Sequence, residues 1–346
     1  MLPNRDNLLG ICDGMDKIIT LPFHQRKTIN GQDLILNIYD AFRKRTRISL
    51  IYSSLEAIAN IKDDYPIIFL ATGASGKHFM PDIGETDGPL GTAVLSRTLA
   101  RGLRALPVIF TDEEQVGVII SIMKSIGLIV TDIDRGRQDQ RQSRYPNSIV
   151  IKSFPKEHDK AKEEADNLVA SLNPSAAIAI ERSGFNSKRH YHTSNGVQVD
   201  WKAKMDYIFY KCNDEKVLTI GIGDGGNEIG MGAEADFISD VHKYGKECKC
   251  PCSSGVVSRT ETTCTVVSTI ANWGAYALSD ILAVYLNRKD LLYDDNMEKV
   301  LLHEAIKSGC VDATTGFGIP SVDGVQLKYN SSVINTLYCL AERLMN

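Results

Sequence analysis

Residues 217–232 hold glycines at 221, 223, 225, 226, 230 and 232, and the only acidic or amide side chains among them are Asp224, Asn227 and Glu228. An apolar β-type run, 217–222, leads into them. Glycines let a backbone approach a ligand closely. Two carboxylates and an amide at the carboxyl end of a strand suit a metal ion, an ammonium group or a polar substrate. The same residues satisfy the dinucleotide pattern Gly221-x-Gly223-x-x-Gly226. Against that reading, Asp224 would set a negative charge among phosphates, and no second strand ending in a ribose-binding acid follows at the right distance. A glycine-rich turn with solvated acids is the plainest alternative.

Other positions of the same kind follow strand-like runs. Thr72 and Gly73 begin a small-residue turn, 72–76, that could present backbone amides to an anion. Glu85, Thr86 and Asp87 precede Pro89, a residue suited to a first helical turn, and Thr86 or Asp87 suits the cap. Glu85 has no such structural excuse and is a candidate for binding metal or a substrate amine. Glu181 and Arg182 end another apolar run, where the guanidinium could grip a substrate carboxylate or pair with a neighbouring acid. His190 and His192 lie in a polar loop, 183–199, and could move protons near neutral pH. Asn272 sits in an apolar stretch and needs a partner, either a ligand or a nearby loop. Cys248, Cys250 and Cys252 are spaced one residue apart, unlike the usual zinc knuckle, and no second ligand pair is near in sequence, so incidental thiols on a surface loop are expected there.

Residues 223–232 resemble the signature of the D-glutamate cyclase C-terminal family, and segments 84–91, 179–182, 191–192, 268–276 and 322–324 agree with it in order. The resemblance runs from about residue 65 to the C-terminus. Larger relatives carry a hydro-lyase-like domain ahead of this one, so a stand-alone form is expected. The resemblance implies a lyase that closes D-glutamate to 5-oxo-D-proline with loss of water. On that view Glu181 or His192 moves protons. Asp224 and Glu228, with Glu85 or Asp87, hold a divalent ion, manganese or magnesium. Arg182 and the 72–76 turn anchor the α-carboxylate, with Thr86, Asn227 and Asn272 at the substrate. A metal-dependent phosphohydrolase, or a non-catalytic binder of a nucleotide or phosphorylated ligand, could use the same framework.

The elements that must position these residues alternate. Strands are expected at 65–73, 106–111, 128–130, 148–152, 176–180 and 217–222, with helices between, which implies an α/β, doubly wound, mostly parallel sheet of Rossmann-like, three-layer type. Residues 111–114 read as a capping box, 135–147 as a polar loop and 262–286 as one long apolar helix interrupted at 272–274. Residues 1–64 read as a helical segment packed on a main domain, 65–346, with further helices at the C-terminus and no chemistry of its own. At 346 residues, 43% hydrophobic and 24% charged with a net charge of -4, the chain has no basic field for nucleic acid or an anionic membrane. No apolar run is long enough to span a bilayer, and the acidic N-terminal stretch does not suit a signal peptide. A cytoplasmic protein with a small-molecule substrate is expected, and a homo-oligomer is compatible with the sequence.

Overall fold

Alternating apolar residues build the strands of the central sheet. In the computed structural model, which describes residues 4–345 except 24–25, 74–76, 78 and 145, they are β1 (Ile67–Ala71), β2 (Leu106–Thr111), β3 (Ile129–Val130), β4 (Ser148–Ser153), β5 (Ala176–Ile180), β6 (Leu218–Gly223) and β7 (Cys264–Val267). They pair in the order β3-β4-β2-β1-β5-β6-β7, all parallel. Ile68, Leu70, Ile109, Ile178, Ile180, Ile220 and Ile222 enter one buried cluster. Their neighbours Ile67, Phe69, Val108, Phe110, Ala177 and Ala179 enter another on the opposite face. This period of two, apolar on both sides, requires helices over both faces.

One face is covered by Pro89–Leu103, Val116–Ser125 and Ala271–Tyr285, and the other by Ile133–Gln142, His158–Leu172 and Asp206–Asp214. The result is the three-layer, doubly wound architecture expected from the sequence. N-terminal helices Arg5–Ile19 and Leu50–Ala59 and C-terminal helices Asp295–Lys307 and Leu327–Arg343 extend the first layer. Helix Leu34–Thr46 packs instead with residues 248–257 in a third, smaller cluster. Strand order reverses around β1, whose neighbours are β2 and β5, so a crevice is expected beyond the carboxyl ends of β1, β5 and β6. No described helix is long and apolar enough to cross a membrane.

Three local expectations are corrected. Residues 262–286 form a strand, β7, then a turn, then the helix Ala271–Tyr285, which passes through Gly274 without a break. A fully buried strand and a buried helix are equally apolar, so periodicity does not separate them. Residues within 135–147 belong to the helix Ile133–Gln142, whose first turn is capped by Asp132 accepting from the Arg135 amide. The capping box expected at 111–114 does not form: Thr111 Oγ1 has no hydrogen-bond partner among the described residues, and Asp112, which stands at the cap position, gives its carboxylate to Arg182.

Candidate active site

Beyond Ile180 the chain turns sharply. Glu181 has φ 49°, a left-handed conformation that costs a non-glycine residue about 1–3 kcal/mol and tends to mark functional positions. Its amide still donates to the Ile222 carbonyl, which fixes the end of β5 against β6, and its Oε2 is buried with no hydrogen-bond partner among the described residues. At the end of β6, Asp224 Oδ1 lies 2.7 Å from Arg26 Nη1, whereas Asp224 Oδ2 is buried with no hydrogen-bond partner among the described residues. Glu228 folds back so that its Oε2 accepts from the amides of Gly225 (3.1 Å) and Gly226 (2.9 Å). Gly226 adopts φ 95°, and a Cβ at Gly223 would stand 2.8 Å from the Glu228 side chain. The glycines therefore serve a carboxylate within the chain. The amides that a dinucleotide would need are already engaged, which counts further against the nucleotide reading.

Two helix N-termini meet beside these acids and cap each other. Asn272 Oδ1 accepts from the amides of Gly88 (2.9 Å) and Gly91 (2.7 Å) at the start of Pro89–Leu103, and its Nδ2 donates to the Thr86 carbonyl. Asp87 in return accepts from Ala271 and Asn272, both at 2.8 Å, at the start of Ala271–Tyr285, and also from the Gly88 amide. Asn272, expected at the substrate, is thus engaged with a neighbouring loop, and the cap expected from Thr86 or Asp87 comes from across the fold. Thr86 Oγ1 donates to the Ser321 carbonyl. Thr72 Oγ1 is buried with no hydrogen-bond partner among the described residues, and Gly73 takes φ 97°; the rest of the expected anion-binding turn, 74–76, lies outside the described residues.

A cavity of about 500 Å³ opens over this framework. Glu85, Glu181, Asp224, Asn227, Glu228 and Asp323 line it together with Arg26 and Lys202, and Thr193, Ser194, Asn195, Lys243 and Tyr244 form the facing wall. Arg26 bridges Asp224 and Asp323, 3.0 Å away. Lys202 Nζ donates to Ser183 Oγ at 2.8 Å. Arg26, Lys202 and Asp323 were not anticipated as site residues. Asp323 had a signal, since it lies in the matching segment 322–324. Arg26 belongs to an N-terminal segment expected to carry no chemistry, and neither it nor Lys202 sits in a motif.

Burial, then the crowding of acids, dominates the electrostatics. Burial and the proximity of Asp323 push the Glu85 carboxyl up to about 8. Burial and Asp224 push Glu228 and Asp323 up to about 7, and Glu181 and Asp87 are raised well above the usual carboxylate range for the same reasons. Burial and nearby Arg182 lower the Lys202 ammonium. Burial opposes the charge of Arg26, but Asp224 and Asp323 hold its guanidinium above its ordinary value.

Asp87, Glu181 and Asp224 each bring an oxygen within 4.8 Å of the others. With two buried, unpartnered oxygens among them, this set fits a hard divalent cation. Of the expected metal set of Glu85, Asp87, Asp224 and Glu228, this group holds Asp87 and Asp224 with Glu181 as its third member, while Glu85 and Glu228 line the cavity outside it. A pH dependence follows. Carboxyls raised in the folded state keep protons that the unfolded chain releases above about pH 4, so folding takes up protons and stability falls as pH rises toward 8. Chelator-treated protein should therefore melt at lower temperature at pH 8 than at pH 5.5, and manganese should raise the melting temperature more at pH 8. Thermal scans at both pH values check this; equal manganese stabilisation at both would contradict it.

Arg182 does not reach the cavity. Fully buried, it forms a two-pronged pair with Asp112 (2.5 and 3.1 Å) and donates to the carbonyls of Gly73 and Ala203. Burial would raise the Asp112 carboxyl, but Arg182 holds it below the usual range. The expectation of a substrate clamp is corrected to a pair that ties the β1, β2 and β5 ends together. His192 is turned away as well. Its carbonyl accepts from Asn227 Nδ2 at 3.1 Å, while its ring Nε2 lies 3.2 Å from Cys250 Sγ, which withdraws the expected proton-transfer role. The three thiols, expected to be incidental on a surface loop, converge on that ring, and Cys248 and Cys252 are buried.

A family model described as D-glutamate cyclase-like, C-terminal, matches residues 41–338. The human protein named D-glutamate cyclase, mitochondrial, is 27% identical over 109 residues, a match that covers 31% of this chain and 16% of the human protein. With most of its length matched and its acidic crevice at the carboxyl ends of the strands, the chain belongs to the D-glutamate cyclase-like, C-terminal, family.

Proposed function

We propose that this protein is a lyase that closes D-glutamate to 5-oxo-D-proline and water, with a divalent cation, manganese or magnesium. The observation that carries the reading is the convergence of Asp87, Glu181 and Asp224, two of them with oxygens unpartnered among the described residues, at a cavity lined by Glu181 and Asp224 together with Arg26 and Lys202. The reaction is an intramolecular acyl transfer. Its nitrogen gives up two protons, and one γ-carboxylate oxygen leaves with both as water.

Asp87, Glu181 and Asp224 would hold the cation, which when bound supplies positive charge to the γ-carboxylate and makes it electrophilic. Lys202, steadied by Ser183, is the cation best placed in the cavity wall for the α-carboxylate, in the role first given to Arg182. Glu181 and the neighbouring raised carboxyls attract the ammonium group. The Glu181 carboxylate, with its affinity for protons raised by burial and by Asp224, takes the two protons from nitrogen one after the other and passes each to the departing oxygen, which leaves as water. Contacts to both carboxylates, one at the cation and one at Lys202, would hold the short substrate folded back, which brings amine and γ-carboxylate together.

The test is to incubate the protein with D- or L-glutamate and manganese, magnesium or chelator, and to resolve 5-oxoproline by chiral chromatography. Cation-dependent product from the D-isomer is expected, and Asp224→Asn should reduce it at least about 100-fold. No product from either isomer, or full activity in Asp224→Asn, would overturn the proposal.

A further inference from the structure

The cluster formed by His192, Cys248, Cys250 and Cys252 lies outside the acidic cavity and has the composition of a soft-metal site. Cys248 Sγ is 3.4 Å from Cys250 Sγ and 3.2 Å from Cys252 Sγ. His192 Nε2 is 3.2 Å from Cys250 Sγ and 3.6 Å from Cys252 Sγ, and all four donor atoms lie within 4.8 Å of one another. A tetrahedral zinc ion with bonds of about 2.0–2.3 Å needs edges of about 3.5–3.8 Å, so four of the six donor pairs lie within a few tenths of an ångström of that and the other two within about 1 Å. The sulfurs are too far apart for a disulfide, which requires about 2.05 Å, and all three cysteines are free. Asn186 adds an outer contact: its Nδ2 reaches Cys252 Sγ at 3.5 Å and the Gly255 carbonyl at 2.8 Å, the kind of support that orients metal ligands.

We infer that these four residues bind a structural zinc ion that staples the loop carrying His192 to the irregular segment carrying the three cysteines. Both segments need such a tie. Residues 242–260 contain no helix or strand, and a stretch of that length without regular structure requires some other source of order. It is joined to the His192 loop by backbone hydrogen bonds from Lys249 to Gly196 and from Arg259 to Phe185, and by side-chain hydrogen bonds from Asn186 and Lys188, and zinc would add a tie at the centre of these contacts. The two segments supply the facing wall of the cavity, Thr193 to Asn195 from one and Lys243 and Tyr244 from the other. Zinc would thus fix that wall from outside, with four protein ligands and no open position, as structural sites have. The spacing of one residue between thiols hid the site in the sequence, because its fourth ligand comes from a distant loop.

The inference does not depend on the proposed reaction. Full-length protein purified with reducing agent is expected to carry about one zinc per chain by elemental analysis. After zinc removal, cobalt(II) titration should give thiolate charge-transfer absorption and the strong visible bands of a tetrahedral site. Cys250→Ser, at the most exposed thiol, and His192→Ala should each lower zinc occupancy at least about tenfold. Asp224→Asn should leave occupancy unchanged, which separates this site from the carboxylate site. Zinc-free protein should be cleaved faster by protease within 190–199 and 242–260. A colourless cobalt titration, a cobalt spectrum unaltered in Cys250→Ser, or a disulfide among the three cysteines in freshly purified protein would overturn the inference.

Discussion

Glu181→Gln is expected to lower formation of 5-oxo-D-proline by about 100- to 10,000-fold, the range typical of a lost general acid or base, while the protein stays folded. Glutamine keeps the shape and leaves the unusual backbone at φ 49° as it is. It removes the carboxyl whose Oε2 lies unpartnered in the cavity. Stability should hold or rise, because one acid leaves a site where Asp224, Glu228, Asp87 and Glu85 all raise the proton affinity of that carboxyl. The two readouts are turnover and melting temperature in chelator. A manganese titration of the same variant then separates a proton-transfer role from a ligand role: unchanged affinity with lost turnover assigns Glu181 to the proton. A variant that keeps more than a tenth of its activity would remove Glu181 from the mechanism.

The sheet was legible because six of its seven strands are short apolar runs, five of them closed by a glycine, a threonine or an acid. The cavity lies beyond two of these ends, at Glu181 and Asp224. β7 was not legible, since Cys264–Val267 is as apolar as the helix that follows and both are buried on all sides. Within the site, Asp224 and Glu228 stood out by contrast with their glycines. What a side chain does once placed was less readable. Arg182 at a strand end looks like a carboxylate clamp, yet its partner, Asp112, comes from beyond β2, 70 residues earlier. Arg26 reaches Asp224 across 198 residues. His192 and the three thiols carry the same lesson, for a ligand set drawn from two loops has no spacing to recognise.

The Arg182–Asp112 pair gives the second large effect, and here it is expected on folding. Both side chains are almost wholly buried. Removal of one partner leaves an uncompensated charge in the interior, which costs about 3–5 kcal/mol. Asp112→Ala should lose about that much stability in urea denaturation, and it also deprives the Ala203 amide of its acceptor. Arg182→Met should lose a similar amount, because Asp112 is left as an uncompensated buried charge and the Gly73 carbonyl loses the donor it has among the described residues. The double variant Arg182→Met with Asp112→Leu should recover part of the loss, since no charge then remains to be buried, but not all, since the Gly73 carbonyl and the Ala203 amide are still without the partners they had. If Arg182 instead gripped the substrate, Arg182→Met would raise KM for D-glutamate and leave the urea midpoint in place. The two outcomes differ in kind, so one pair of measurements decides whether the guanidinium at the end of β5 belongs to the reaction or to the scaffold that aims Glu181 at it.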